Sequence, residues 1–112
     1  CGILRIMNDA LAPVLQQLRA GFEAQYGDRL DRVLLYGSQA RGDAGPESDV
    51  GVLVGLRGEV DPVAEIARTE YLVADVSLEH DLVLSCVFLS IEEYYDEADL
   101  FLRNVKHDAI LV

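Results

Sequence analysis

Apolar residues recur at helical spacing between Asp9 and Tyr26, where Leu11, Val14, Leu15, Leu18 and Phe22 mark one face of an amphipathic helix. Asn8 or Asp9 can cap this helix, Pro13 is tolerated near its start, and Gly27 can end it. The pattern then changes. Arg32-Val33-Leu34-Leu35-Tyr36 is short, apolar and β-inclined, and it runs directly into Gly37-Ser38. A polar loop follows, broken by Gly42, Gly45 and Pro46. Val50 to Val54 reads as a second strand, closed by Gly55 and Gly58. Pro62 opens a second helix, with Val63, Ile66, Ala67, Val73 and Ala74 on its apolar side. Asp81 to Ser90 (DLVLSCVFLS) is the most strand-like run, and so apolar that it is expected in the middle of a covered sheet. Ile91 to Val112 reads as one or two short helices and a terminal apolar stretch, Ala109 to Val112. Alternating helices and strands predict an α/β (α+β) class. The expected form is a short mixed sheet with helices packed mainly on one side, one domain over residues 1–112.

Composition narrows this picture. Apolar residues make up 51% of the chain and aromatics only 7%, so the core must be aliphatic. No apolar run approaches the roughly 20 residues of a membrane span, so no membrane partner is expected. Residues 1–9 carry Arg5 but no long apolar stretch and no small-residue cleavage site, so no signal peptide is expected. Cys1 and Cys86 form no framework, and Cys86 sits in an apolar run as a small core residue, which suits a cytoplasmic location.

The net charge of −11 is unevenly spread. Residues 59–99 hold twelve acids against Arg68 alone, whereas residues 1–58 nearly balance, with seven acids and six bases. Such a chain should repel a nucleic-acid backbone, so no direct nucleic-acid partner is expected. The acidic segment is open to two readings, a solvated face that aids solubility or a docking face for a basic protein surface.

Candidate chemistry lies in Leu34-Leu35-Tyr36-Gly37-Ser38-Gln39-Ala40-Arg41-Gly42 and in Ser48-Asp49-Val50-Gly51-Val52-Leu53-Val54. A strand ending in Gly-Ser that turns into a short helix exposes backbone N–H groups at one point, a nest for phosphate oxygens. Gly37 lets a phosphate approach the backbone, the Ser38 hydroxyl adds a donor, and Arg41 could meet a terminal phosphate. Ten residues separate Ser38 from Asp49, which starts the next strand. Strand positions i and i+2 share a face roughly 6–7 Å apart. Two Asp residues so placed can hold two Mg²⁺ ions ~4 Å apart for in-line phosphoryl chemistry. A third carboxylate usually comes from a neighbouring strand, and Asp81, opening the next one, is placed to supply it.

The order Gly-Ser, ten residues, Asp-x-Asp, then a later strand with Asp resembles the nucleotidyltransferase superfamily of polymerase-β type. The run GSQARGDAGPESDVGVLV resembles its minimal branch, the small antitoxins paired with HEPN toxins in toxin–antitoxin modules. The likeness extends through the opening helix, DLVLSCVFLS and the ending LRNVKHDAILV. It implies transfer of AMP from ATP, with Mg²⁺, to a tyrosine hydroxyl of a HEPN toxin. Gly37 and Ser38 match the phosphate-binding pair and Asp49 the first metal carboxylate. Asp81 matches the third, expected to help activate the attacking hydroxyl. Gly51 stands where the second metal carboxylate is expected.

That glycine implies impaired transfer, because Mg²⁺ has few protein ligands to spare. Gly51→Asp is expected to pack without strain and to restore activity. The rival reading is an inactive antitoxin that neutralises its toxin by contact. An antibiotic-modifying transferase fits the motif but leaves no length for a second substrate-binding domain. Arg41 is equally open to a surface pairing with Asp43 or Glu47, His80 and His107 read as surface residues, and Tyr94 and Tyr95 as packing residues.

Overall fold

The computed structural model describes residues 11–37, 49–96 and 98–112. Helix α1 spans Leu11–Tyr26 and buries Leu11, Val14, Leu15, Leu18, Phe22 and Tyr26, the stripe that its helical spacing marks. A short 3₁₀ turn, Gly27–Arg29, leads into strand β1, Leu30–Tyr36. Strand β2, Val50–Leu56, is buried along its whole length and runs through Gly55 rather than stopping there. Helix α2, Pro62–His80, starts under an Asp61 cap whose carboxylate accepts from the Val63 and Ala64 N–H groups, with Pro62 in its first turn. Strand β3 is Leu84–Ser90, the single-turn helix α3 is Ile91–Tyr94, helix α4 is Leu100–Asp108, and strand β4 is Ile110–Leu111.

The sheet order is β3-β2-β1-β4. Strand β2 is antiparallel to β1 and parallel to β3, and α2 makes the crossover. The sheet is therefore mixed, as expected. DLVLSCVFLS supplies an edge strand, however, and not the middle of the sheet. The apolarity of this run reflects a flank covered by α2, with Leu84 and Phe88 turned into the core.

Alternation along the strands divides the core in two. Val33, Leu35, Val50, Val52, Val54, Leu56, Leu84 and Phe88 pack against α1 and α2. Leu34, Leu53 and Leu89 pack against Leu102 and Val105 of α4 on the opposite face. The long helices thus share one side, and the short α4 covers part of the other. Tyr94 and Tyr95 are less packed than expected. They hold the Arg32 guanidinium and the Lys106 ammonium over their rings, at 4.5 and 4.7 Å from the Tyr94 centroid. His80 meets the Gln17 side-chain oxygen at 2.9 Å across the α1–α2 contact. Among the described residues no helix is long and apolar enough to cross a membrane.

Helix α2 departs from the expected apolar side, of which Val73 alone packs against the core. Val63 is 76% exposed and Ile66 53%, and Ala67 and Ala74 are exposed as well. The side turned inward carries Glu65, Thr69 and Val76. Glu65 tolerates burial because its carboxylate accepts from the Tyr26 hydroxyl at 2.8 Å and pairs with Arg68 at 2.9 Å. Thr69 donates back to the Glu65 carbonyl at 2.9 Å. Hydrogen bonding at Glu65 and Thr69 acts with Leu72, Val73 and Val76 to set which side of this helix faces in.

Candidate active site

The end of β1 and the starts of β2 and β3 meet at one edge of the sheet. Tyr36 pairs with Gly51, and Gly51 pairs with Ser85, so these three residues form one cross-strand row. One step beyond the Tyr36–Gly51 pair, Gly37 lies beside the Asp49–Val50 end of β2. Gly37 has φ +82°, a left-handed conformation that L side chains rarely adopt. A Cβ there would meet nothing within 4 Å among the described residues, so the backbone conformation demands the glycine. The turn bends the chain at the point where the sequence places a phosphate nest. Ser38 and Arg41 lie outside the described residues.

Asp49 is exposed at the head of β2, and the Ser85 hydroxyl donates to its Oδ2 over a long 3.4 Å. Asp81 does not open β3. It is the left-handed C-cap of α2, with φ 52° and its N–H directed back to the Leu78 and Ser77 carbonyls. The strand begins three residues later, and its first bond to β2 runs from the Val50 N–H to the Val83 carbonyl at 2.8 Å. The β3 side chain that the pairing brings to Asp49 is therefore the Ser85 hydroxyl. The expectation failed because α2 runs on through Leu78 to His80, and Asp81 is spent ending it.

Gly51 has no room to spare. An added Cβ would lie 2.9 Å from Tyr36 Cζ and 3.1 Å from both Cε atoms, too close for either group to stay in place. The Tyr36 ring lies over Gly51 and is braced edge-to-face by Phe101 of α4, with centroids 5.9 Å apart. The expectation that an aspartate at position 51 packs without strain is thus corrected. Burial raises the Tyr36 phenol above its ordinary pKa, and Cys86 adds in the same direction. The ring stays neutral and is no anionic substitute for a carboxylate.

These residues suit one Mg²⁺ ion, held by Asp49 and the oxygens of a bound triphosphate, because Mg²⁺ often takes one or two carboxylates and keeps its waters. They do not suit a pair. Among the described residues no three His, Cys, Asp or Glu side chains gather as a metal cluster. Sequence reasoning missed Tyr36 and Ser85. The signal for Tyr36 was an aromatic flanking Gly37 with a side-chain-free glycine opposite it on the next strand.

The nucleotidyltransferase domain family matches residues 15–112. The chain belongs to that family. A Methanocaldococcus jannaschii protein, provisionally named a protein adenylyltransferase, is 35% identical over 72 residues, which cover 64% of this chain and 72% of that protein. A crystal structure of a mutant MntA–HpeT toxin–antitoxin contains a chain of the same fold. Its TM-score is 0.58 at 17% identity, covering 88% of this chain and 68% of that one.

Proposed function

We propose that this nucleotidyltransferase-domain protein is an antitoxin that transfers AMP from ATP to a tyrosine hydroxyl of a HEPN-family toxin, slowly. The observation that carries the reading is the placement of the left-handed Gly37 turn beside Asp49, at one end of the β1–β2 pair. The likeness to the adenylyltransferase-named relative supports the reaction, and the shared fold with the toxin–antitoxin structure supports the setting.

In this reading the Gly37-Ser38 turn binds the triphosphate through backbone N–H groups, and Arg41 steadies its far end. Asp49 holds the one Mg²⁺ ion, which when bound neutralises phosphate charge. The tyrosine oxygen forms a bond to the α-phosphorus while the α–β bridging bond breaks, pyrophosphate leaves, and the tyrosine proton passes to solvent. Asp81 is the C-cap of α2 and not a strand residue, and the Ser85 hydroxyl is the β3 group beside Asp49. Tyr36 and Phe101 wall the site on the α4 side.

A second reading, neutralisation by contact alone, draws on the Tyr36 ring over Gly51 and on Ser85 in place of a carboxylate. The two are separated by incubating the toxin with ATP labelled at the α-phosphate and with this chain or its Asp49→Asn variant. Slow label transfer to a toxin tyrosine, lost in Asp49→Asn, supports the enzyme. A toxin silenced without label supports contact alone.

A further inference from the structure

The outward side of α2 carries Val63, Ala67, Tyr71, Ala74 and Leu78, spaced four, four, three and four residues apart as one continuous helical stripe. Tyr71 is 80% exposed and Leu78 82%, large apolar side chains that the fold leaves in water. Beside this stripe a groove of about 260 Å³ runs between α2 and the open edge of β3, floored by Leu84, Cys86 and Phe88. Among the described residues no strand pairs with the outer edge of β3, which lies along the same side.

We propose that the stripe, the groove and the β3 edge form the docking surface for a protein partner whose contacting surface is apolar and rimmed by Lys and Arg. Charge selects this occupant. Glu70, Asp75, Glu79 and Asp81 are exposed on α2 and at its end, with Glu59 and Asp61 at its start. The single arginine of the helix, Arg68, is already paired with Glu65. A second copy of this chain would bring the same acidic rim and a net charge of −11 against its like, which disfavours self-association.

The β3 edge of this surface runs toward the candidate site. Val83, 58% exposed at the near end of β3, accepts the Val50 N–H through its carbonyl, next to Asp49. A partner that also engages the β3 edge therefore comes up to the head of β2, where an acceptor must lie. The choice of partner and its role as acceptor rest on the proposed antitoxin reading.

The test measures the affinity of the full chain for its HEPN-family toxin at two ionic strengths. It compares Tyr71→Ser/Leu78→Ser, Glu70→Lys/Asp75→Lys and Asp49→Asn. The apolar pair should weaken binding about tenfold or more, since an exposed Tyr and Leu are plausible anchors only at an interface. The charge reversal should weaken binding and flatten its salt dependence. Asp49→Asn should bind like the parent, so loss of label transfer in that variant alone would bear on the enzyme reading and not on this surface. All exchanged side chains are exposed, and a thermal melt confirms that each variant folds. Unchanged affinity in both surface variants overturns the proposal, as does the absence of any complex with the parent. A parent dimer in sedimentation that Tyr71→Ser/Leu78→Ser dissociates also overturns it, by making a second copy the occupant.

Discussion

Placing an aspartate at position 51 sets packing against chemistry. The new Cβ would meet Tyr36 Cζ at 2.9 Å, so the ring must swing away from Phe101 or the strands must part. Overpacking of this kind costs about 1–3 kcal/mol, and losing the edge-to-face contact accounts for about 0.5–1.5 kcal/mol of that. Repulsion from Asp49, on the same face two residues earlier, acts in the same direction in metal-free buffer. Gly51→Asp should therefore lower the stability of the parent by about 1–3 kcal/mol, but by less than about 0.5 kcal/mol once Tyr36→Ala has emptied the space. Urea denaturation of the parent, both single variants and the double variant closes the cycle. A coupling of about 1 kcal/mol or more is expected, because removing the ring relieves the clash. Equal costs in both backgrounds would refute the idea that Tyr36 holds the second carboxylate's place.

Three further outcomes follow from local geometry. Tyr26→Phe leaves the buried Glu65 carboxylate without its 2.8 Å hydroxyl donor and should cost about 1–2 kcal/mol in the same denaturation assay. Gly37→Ala forces a side chain onto a φ of +82°. It should cost about 1–2 kcal/mol and weaken ATP binding by calorimetry. Burial pushes the Cys86 thiol up to about 12. The folded chain then holds a proton that the unfolded chain loses near pH 8.5, so this contribution to stability is intact below about pH 8.5 and is lost as pH rises toward 12. Peptide mapping after alkylation at pH 8 should find Cys86 protected in native protein and labelled in urea.

Periodicity was a sound guide where packing alone decides. The α1 stripe from Leu11 to Phe22 faces the core as its spacing requires, and Val50 to Val54 lies in a buried strand. It misled where polar groups satisfy one another. In α2 the Tyr26–Glu65–Arg68 hydrogen bonds turn an acidic residue inward and leave Val63 and Ile66 outside, which no hydropathy pattern reveals. At the site, the Gly37 turn and Asp49 were legible from their spacing. Asp81 was not, because a strand's first residue depends on where the preceding helix stops, and α2 ends in the left-handed residue Asp81 itself. The blocking role of Tyr36 depends on β1–β2 register, which is set by long-range pairing.

We propose that this nucleotidyltransferase site has one metal position, held by Asp49, and that the Tyr36 ring over Gly51 leaves no second. Manganese binding followed by electron paramagnetic resonance, with a non-hydrolysable ATP analogue at saturation, counts the ions directly. One bound ion per nucleotide is expected for the parent, none beyond free nucleotide binding for Asp49→Asn, and two for Tyr36→Ala/Gly51→Asp. Two ions in the parent, or one that persists in Asp49→Asn, would contradict it.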